Sequence, residues 1–387
     1  MTTMAKADKY IMNTYARFPV TLVKGSGMFV TDEDGKDYLD FGAGIAVSAL
    51  GHAHPAMVAA LAAQAAQLIH TSNLYYTAPQ ADLAEKLVTN GCFDKAFFCN
   101  SGAEAVEASM KLARKHGAGR SGIVSMRQSF HGRTFGAVTA TGQTKYQQGF
   151  APLLPGITHV PLNDFDALRA AVDDDTCAVL LEPIQGEGGV IVAQTEYLRQ
   201  VRALCTERDI ALIFDEVQCG MGRTGSFFAH QHFGVEPDIV AMAKGLAGGV
   251  PIGAMLAREE FAAAFHPGDH ASTFGGNPLA AAVACAVVDE VLALLPSVRR
   301  SGDHLGRTLG ALQAKHARIT DVRGVGLMRC VELDGPVAPV IDACMSAGLL
   351  LIAAGANVIR FVPPLIVEPA HIDAMAKILD QALTTAT

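Results

Sequence analysis

The chain has 387 residues, of which 50% are hydrophobic, and a formal net charge of −8 at pH 7. This length suits about two or three domains with a large buried core. Because the chain is acidic and has no run of lysine or arginine, neither nucleic acid nor an anionic membrane is an expected partner. The N-terminus lacks the apolar segment of a secretory signal, and we expect no later stretch to span a bilayer.

The eight cysteines are scattered along the chain, with no CxxC pair and mostly apolar neighbours. Buried thiols behave as small hydrophobic groups, and disulfides are rare in the cytoplasm. The pattern therefore predicts reduced core cysteines and a cytoplasmic protein.

The N-terminal region contains a predicted hairpin followed by a helix. Met28 to Phe41 has the pattern of two strands joined at Asp34-Gly35, a dipeptide that tolerates the positive φ of a tight turn. An alanine-rich helix is predicted from about Ala56 to Ile69. His52 and His54 stand near its start, but no third ligand with a metal-site spacing follows them, so we expect no metal site.

Short apolar runs alternate with helical segments from about Lys95 to Gly276, which is typical of a mainly parallel α/β sheet. The predicted strands are Ala96 to Cys99, Gly122 to Met126, Cys177 to Leu181, Ile210 to Phe214 and Ile239 to Ala243. We expect a large domain over residues 51–278, followed by a small α+β domain over residues 279–387. Residues 1–50 are assigned to an N-terminal segment that is part of the small domain.

The predicted small domain begins with a long apolar helix, from about Leu279 to Leu295. Its other predicted elements are strands at Gly326 to Leu333, Leu349 to Ala353 and Val358 to Val362, and helices at Val337 to Ala347 and Pro369 to Leu383.

The string NSGAE, from Asn100 to Glu104, follows the first predicted strand and opens a helix that ends near Gly117. A helix N-terminus has free N–H groups, and the small Gly102 and Ala103 leave room for a phosphate to approach them. An ordinary N-cap at Asn or Ser is the alternative, and the string alone does not decide between the two.

Two further loops carry candidate binding residues. In FHGRT, Phe130 could stack on a ring and Arg133 could grip a carboxylate, or they could be a core aromatic and a surface charge. In LEPIQGEGG, Glu182 and Glu187 stand in a glycine-rich loop, but no further acidic cluster supports glycoside hydrolysis. The run Gly220 to Gly225 matches GxGxxG without the acid expected about twenty residues later, so a dinucleotide site is not expected.

Lys244 and Asp215 each come at or just after the end of a predicted buried strand. Ligands of open α/β sheets bind outside the carboxyl ends of the strands, so the two side chains are expected to face one cavity. Pyridoxal 5′-phosphate needs such a pair, because its aldehyde reacts with a lysine amine and a carboxylate keeps its ring nitrogen protonated. A lysine that merely reaches out to solvent from a strand end is the alternative for Lys244.

Taken together, AMAKGLAGG, IFDEVQCGMGRTG, NSGAEA, FHGRT, LEPIQGEGG, STFGGNPL and RFVPPL resemble, in this order, the motifs of class III pyridoxal-phosphate aminotransferases. The resemblance runs from about Thr14 to Leu379. It implies the fold-type I architecture of these transferases, with a large domain built on a mainly parallel, seven-stranded-type sheet. It also implies a homodimer in which each active site is built from both chains.

The resemblance assigns cofactor roles residue by residue. Lys244 holds the cofactor covalently and acts as the catalytic base, and Asp215 pairs with the pyridine nitrogen. The other implied cofactor contacts are Ser101, Gly102 and Ala103 at the phosphate, Phe130 and Val217 on the ring faces, Gln218 near the phenolic oxygen, and Thr273, which reaches the phosphate of the partner subunit.

The substrate roles follow the same resemblance. Arg133 and Ser272 hold the donor, Arg360 takes the α-carboxylate of glutamate, and Glu187 neutralises Arg360 when the other donor is bound. The first expected reaction is δ-transamination of N2-acetyl-L-ornithine with 2-oxoglutarate, a step of arginine biosynthesis. The alternatives are succinylornithine, N-succinyl-diaminopimelate, ornithine or 4-aminobutyrate as donor, and, from a different class, a non-catalytic protein that binds pyridoxal phosphate.

Overall fold

The N-terminal part of the chain forms short elements outside the main sheet. In a computed structural model, which describes residues 1–385, these are α1 (Thr3–Tyr10), β1 (Leu22–Ser26), β2 (Phe29–Asp32), β3 (Asp37–Asp40), α2 (Ala43–Ala46), α3 (Pro55–Ala65) and α4 (Ala78–Thr89). β2 and β3 pair antiparallel, which confirms the predicted hairpin. Asp32 closes its turn by accepting hydrogen bonds from the backbone N–H groups of Asp34 and Lys36.

The centre of the molecule is a seven-stranded sheet covered by helices. Its region contains β4 (Lys95–Cys99), α5 (Gly102–His116), β5 (Gly122–Met126), α6 (Phe135–Ala140), α7 (Thr144–Gln147), β6 (Ile157–Val160), α8 (Phe165–Ala171), β7 (Thr176–Leu181), β8 (Ile184–Gln185), β9 (Ile191–Val192), α9 (Thr195–Arg208), β10 (Ala211–Asp215), α10 (Ala229–Phe233), β11 (Ile239–Met242), β12 (Gly253–Ala257) and α11 (Glu259–Ala262). The strand order is β4-β12-β11-β10-β7-β5-β6.

Only β12 runs antiparallel to its neighbours in this sheet; the other neighbouring pairs among the described residues are parallel. The mainly parallel sheet is therefore confirmed. Its inner strands are buried along their whole length, as in Thr176–Leu181 and Ala211–Asp215, because helices cover both faces. β6 and β12 were not predicted from the sequence.

The register between β10 and β11 positions the two candidate residues of the site. Phe214 lies opposite Val240, and Asp215 lies opposite Ala241 in this parallel pair. The chain leaves β11 after Met242 and enters a short 3-10 turn at Lys244–Leu246. Asp215 and Lys244 thus emerge at the same edge of the sheet.

The C-terminal part contains α12 (Pro278–Lys315), β13 (Ile319–Val325), β14 (Met328–Leu333), α13 (Ala338–Ser346), β15 (Leu349–Leu350), β16 (Ile352–Ala353), β17 (Val358–Phe361) and α14 (Pro369–Thr385). One small sheet has the order β13-β14-β17-β16. A second, β1-β2-β3-β15, joins the N-terminal hairpin to the C-terminal region, because Leu39 pairs with Leu349. The short strands β8 and β9 pair with each other.

Two predictions for this region are corrected. The single strand expected from Leu349 to Ala353 is divided, since Leu350 pairs with Asp40 in one sheet and Ile352 pairs with Arg360 in the other. The strand expected from Gly326 begins at Met328, and β13 was not predicted.

The long helix α12 continues far beyond its predicted end at Leu295. A proline inside a helix lacks an N–H donor and costs about 3 kcal/mol, yet the helix runs through Pro296. Buried side chains on both sides of the proline, including Val291, Val298 and Leu305, anchor the two halves in the same core.

One helix meets the length and composition of a membrane span, although its sequence includes Asp289 and Glu290. Pro278–Lys315 is the one helix in the described chain long and apolar enough to cross a membrane. Its apolar face lies in the protein core, where Val283, Val287 and Val291 are fully buried, and this burial explains its composition.

Candidate active site

A cavity of about 330 Å³ opens where the chain leaves the carboxyl ends of the main-sheet strands. Residues that follow β4, β5, β7, β10 and β11 supply most of its lining. Of the site residues predicted from the sequence, Ser101, Gly102, Ala103, Phe130, Asp215, Val217, Gln218 and Lys244 line this cavity. Its location is the ligand-binding edge of open α/β sheets.

The N-terminus of α5 forms one wall. The Ser101 hydroxyl accepts a hydrogen bond from the backbone N–H of Glu104 at 3.2 Å, and the Glu104 carboxylate accepts one from the N–H of Asn100 at 2.7 Å. These two contacts fix the start of the helix, with Ser101 as its N-cap. The N–H groups of Gly102 and Ala103 belong to the first turn, which has no intrahelical acceptors, and the helix dipole favours an anion there.

Gly102 has a steric role at this wall. A Cβ atom added to Gly102 would stand 2.7 Å from Cγ1 of Val217, which lines the same cavity. Any larger residue would therefore force the valine away from its position or block the helix N-terminus. The requirement for glycine comes from this close approach.

Asp215 is held by a buried histidine. The Asp215 carboxylate lies 2.7 Å from Nδ1 of His131 and accepts a 3.0 Å hydrogen bond from the N–H of Val217. Burial lowers the pKa of His131, but the hydrogen bond and negative charge of Asp215 outweigh it and raise that pKa. The pair keeps a carboxylate fixed at the cavity wall.

Glu182 is a second buried carboxyl group at the cavity. Its carboxylate oxygens accept hydrogen bonds from the N–H groups of Phe130 at 3.0 Å and Gly186 at 3.3 Å. Burial and, to a smaller extent, the neighbouring Asp215 charge raise the pKa of Glu182 to about 8, against the opposing effect of His131. The raised pKa favours the protonated form of Glu182 at neutral pH.

Lys244 is half-buried in the cavity wall and has an unusual backbone conformation. Its φ angle of +47° lies in the left-handed region, which costs a non-glycine residue about 1–2 kcal/mol. Burial lowers the pKa of Lys244, and the positive charge of Arg360 lowers it further, although Glu187 opposes these effects. The side chain is thus shifted towards the neutral amine, the form that reacts with a carbonyl.

Phe130, which lines the cavity, is in contact with an aromatic and a cationic side chain outside the lining. The Phe130 and Tyr146 rings meet edge to face at 5.4 Å. The exposed guanidinium of Arg133 stacks 4.2 Å from the centre of the Tyr146 ring and 5.6 Å from that of Phe130. Arg133 forms no ion pair with a carboxylate among residues 1–385.

Arg360 forms a buried cluster with Glu187 and Gln218 beside Lys244. Its Nη1 lies 2.6 Å from the Glu187 carboxylate and 2.8 Å from the Gln218 amide oxygen. The Arg360 side chain is 1% exposed, and its Nε has no hydrogen-bond partner in the described chain. Burial raises the pKa of Glu187, but the charge and hydrogen bond of Arg360, together with Lys244 and Gln218, outweigh burial and lower it.

Ser272 and Thr273 lie outside this cavity. Both border a separate cavity of about 590 Å³ that is also lined by Leu74 and Tyr76. The Ser272 hydroxyl accepts a hydrogen bond from the Asn100 amide at 3.1 Å, so the two cavities are neighbours. Within one chain, these two predicted residues do not join Lys244.

Sequence reasoning missed His131 and gave Glu182 no role, although both side chains occur in the motifs that it used. Each follows a predicted strand, which is the position at which a ligand-facing polar residue is expected. The partner of His131 stands 84 residues away along the chain, and only the folded structure shows their pairing. Asn100 also lines the cavity without having been proposed as a site residue.

The cavity suits a phosphorylated pyridine aldehyde. The small cradle at Gly102 and the free helix N-terminus match a phosphate, the anionic Asp215 matches a protonated ring nitrogen, and Lys244 supplies an amine with a lowered pKa. Phe130 and Val217 present apolar surface to the same space. The fold and the cavity together are those of a pyridoxal-phosphate enzyme of fold type I.

Comparison with known proteins narrows this class. The sequence profile of the family described as Aminotransferase class-III matches residues 10–383. The chain therefore belongs to the class-III aminotransferase family, which confirms the resemblance found in the sequence. It is a pyridoxal-phosphate-dependent transaminase.

Individual relatives agree with this assignment. Acetylornithine aminotransferase of Gloeobacter violaceus is 52% identical over 98% of this chain and 97% of its own. The crystal structure of N-acetylornithine aminotransferase from Stenotrophomonas maltophilia matches with a TM-score of 0.84 at 37% identity, covering 98% of both chains. A structure of ornithine aminotransferase from Toxoplasma gondii, described as having partial occupancy of pyridoxal phosphate at its active site, matches with a TM-score of 0.94 at 32% identity. That match covers 99% of this chain and 94% of the other.

Proposed function

We propose that the protein transfers the δ-amino group of N2-acetyl-L-ornithine to 2-oxoglutarate, giving N-acetyl-L-glutamate 5-semialdehyde and L-glutamate in arginine biosynthesis. The observation that carries this proposal is the 52% identity, over nearly the whole chain, to a protein named for that activity. The exposed Arg133 beside Phe130 supports it, because a guanidinium without a carboxylate partner in the described chain can bind the α-carboxylate of the donor.

Lys244 is the proposed attachment residue and catalytic base. Pyridoxal phosphate, when bound, supplies an aldehyde that condenses with amines and a protonated ring that withdraws electrons from the bond being broken. With the cofactor bound, the Lys244 amine would be the base that takes a proton from the δ-carbon of the donor. Its lowered pKa, caused mainly by burial, favours the neutral amine that this role needs.

The remaining cofactor residues hold the cofactor in position. Asp215, fixed by His131, keeps the ring nitrogen protonated, while the first turn of α5 at Ser101, Gly102 and Ala103 binds the phosphate. Phe130 and Val217 are proposed to contact the two ring faces, and Gln218 the phenolic oxygen. All of these residues line the cavity that also contains Lys244.

Two arginines are proposed to bind the two amino donors, one arginine for each donor. Arg133, with Ser272, holds acetylornithine, whereas Arg360 binds the α-carboxylate of glutamate and the corresponding carboxylate of 2-oxoglutarate. The 2.6 Å pair between Arg360 and Glu187 supports this division, because Glu187 neutralises the arginine when no second carboxylate is present. A site that takes two donors of different shape needs such a switchable charge.

We infer that the protein acts as a homodimer. Thr273 is exposed and lies outside the Lys244 cavity, as expected if it reaches the site of a second copy. Nearby, Leu74, Tyr76 and Phe274 are 87%, 106% and 60% exposed, an apolar patch that association would bury. If the sites are shared, mixing Lys244→Ala chains with Thr273→Ala chains should give more activity than the sum of the two, whereas no gain would contradict sharing.

A cytoplasmic location is inferred from the thiols. All eight cysteines are free, and six of them are buried. Reduced thiols are typical of cytoplasmic proteins.

Steady-state kinetics test the substrate assignment. We expect kcat/KM to be highest for acetylornithine among acetylornithine, succinylornithine, N-succinyl-diaminopimelate, ornithine and 4-aminobutyrate. Free ornithine is the second candidate, because the ornithine aminotransferase structure matches with a TM-score of 0.94. A kcat/KM for ornithine above that for its acetyl derivative would contradict the proposal.

Substitution at Lys244 tests catalysis itself. Lys244→Ala should abolish turnover and the visible absorbance of the lysine-bound cofactor, whereas the exposed Lys24→Ala should leave both unchanged. Full activity in Lys244→Ala would refute the mechanism. Bound cofactor with no turnover of any of the five donors in the unsubstituted protein would instead favour a non-catalytic binding protein.

A further inference from the structure

A second group of reactive side chains lies away from the Lys244 cavity. Cys92 Sγ is 3.7 Å from Nε2 of His230, and Nδ1 of the same ring is 3.0 Å from the Glu216 carboxylate. His230 and Glu216 are buried, whereas Cys92 is half-buried at the wall of a cavity of about 720 Å³. The order of a thiol, an imidazole and an orienting carboxylate is that of an activated nucleophile.

The folding of the chain explains how this group is held. Glu216 directly follows Asp215, and neighbouring residues of extended backbone point to opposite sides, so Glu216 faces away from the Asp215 site. Its carboxylate also accepts hydrogen bonds from the backbone N–H groups of Ala229, at 2.5 Å, and His230, at 2.8 Å, which anchors the start of α10. The carboxylate therefore orients the ring so that Nε2 points at the thiol.

The lining of the cavity beside Cys92 has more cationic than anionic side chains. Arg199, Arg202 and Arg258 line it, against the single carboxylate of Glu236 among its lining residues. Arg258 Nε has no hydrogen-bond partner in the part of the chain described. Arg202 pairs with Asp238 and Arg258 with Glu236, each at 2.8 Å, whereas the pairing of Arg199 with Glu196 is longer, at 3.6 Å.

Cys92 is the one cysteine in the described chain whose thiol lies within hydrogen-bond distance of an imidazole. Burial raises the pKa of each of the other seven thiols, those of Cys99, Cys177, Cys205, Cys219, Cys285, Cys330 and Cys344. A buried thiol with a raised pKa is a poor nucleophile, since the thiolate is the reactive form. Burial also lowers the pKa of His230, but its hydrogen bonds to Cys92 and Glu216 outweigh this and raise it to about 9.

We propose that Cys92 is a modification site, at which the thiol exchanges with small anionic disulfides that enter the arginine-lined cavity. In the reacting pair His230 holds the proton, and the Cys92 thiolate attacks one sulfur of the disulfide. The sulfur–sulfur bond of the reagent breaks, a new bond forms to Cys92 Sγ, and the departing thiolate receives the proton from His230. The reagent is the oxidant: one disulfide is consumed, and one mixed disulfide and one free thiol are formed.

Matched disulfides of opposite charge test this site on the cofactor-loaded protein. Dithiodipropionate carries two carboxylates and cystamine two ammonium groups, and each rate is divided by the rate of the same reagent with N-acetylcysteine amide. Peptide mapping by mass spectrometry then identifies the cysteine labelled first. We expect Cys92, and a normalised rate at low salt at least about tenfold higher for the anionic reagent, with the difference shrinking as salt screens the arginines.

Variants of Arg199 and His230 separate the effect of the arginine charge from that of the histidine base. Arg199→Ala should reduce the preference for the anionic reagent by about two- to fivefold. Arg169→Ala, which removes an equally exposed arginine of an i,i+3 ion pair outside the cavity, should leave it unchanged. His230→Gln should slow both reagents at Cys92 by at least about tenfold while the preference remains.

Either of two results would overturn the proposal. One is first labelling at another cysteine, above all at the half-buried Cys285. The other is labelling of Cys92 at equal normalised rates by the two reagents at low salt. Because the readout is labelling and not transamination, neither result depends on the proposed substrate.

Discussion

The contact between Arg360 and Glu187 leads to the most specific prediction. Arg360 is 1% exposed and Glu187 22% exposed, and they meet at 2.6 Å. To bind a carboxylate from glutamate, Arg360 must give up this partner. Glu187→Gln keeps the size of the side chain and an acceptor oxygen but removes the charge that competes with the substrate.

The size of the effect follows from the loss of a charged partner. A hydrogen bond to a charged group contributes about 1.5–3 kcal/mol, and part of it survives in the amide, so the lower end applies. Because about 1.4 kcal/mol corresponds to a tenfold change, 2-oxoglutarate and glutamate should bind about tenfold more tightly. Acetylornithine should react more slowly, since the charge of Arg360 is then no longer neutralised.

Single-turnover kinetics with each donor measure this directly. The ratio of the second-order constants for glutamate and acetylornithine should rise by about tenfold or more in Glu187→Gln. Glu196→Gln is the matched control, because its carboxylate is exposed and pairs only at the surface, and we expect no change in the ratio. Equal changes for the two donors would show that Glu187 is structural and would refute the proposed switch.

Three further predictions concern the cofactor wall and the buried acid. Gly102→Ala should weaken cofactor binding, because the added Cβ would stand 2.7 Å from a valine methyl group. Gly310→Ala is the control, since its added Cβ meets nothing within 4 Å. The visible absorbance of bound cofactor that remains after dialysis compares the two variants. His131→Asn should raise the cofactor Kd by about tenfold or more, since it removes a charge-assisted hydrogen bond, and an unchanged Kd in titrations of the cofactor-free variant would contradict this. The raised pKa of Glu182, about 8 against the usual 4.5, means that the folded protein keeps a proton that the unfolded chain releases between these values. Folding stability should therefore fall as the pH rises through this window, and urea unfolding of the cofactor-free protein should show a smaller fall in Glu182→Gln.

The sequence was informative where a strand and its ligand-facing residue are adjacent. Buried runs such as those ending at Asp215 and Met242 predicted inner strands, and the polar residues after them predicted the site edge. β12, GAMLA, has none of the β-branched side chains that mark strands, and β6 has only four residues, so neither gave a clear signal.

Other features depend on contacts that sequence spacing does not encode. The pairing of His131 with Asp215 and that of Glu187 with Arg360 join residues 84 and 173 positions apart. Helix α12 continues through Pro296 because tertiary packing outweighs the local cost of the proline. Ser272 and Thr273 lie outside the cavity of their own chain, and their proposed roles require a second copy of the protein.

The most direct test of the central proposal is a half-reaction followed by the visible absorbance of the bound cofactor. Acetylornithine, succinylornithine, ornithine and 4-aminobutyrate are each added alone to the purified, cofactor-loaded protein. We expect acetylornithine to bleach the yellow colour fastest and 2-oxoglutarate to restore it. Absence of bleaching by acetylornithine, or faster bleaching by another amine, would contradict the proposed reaction.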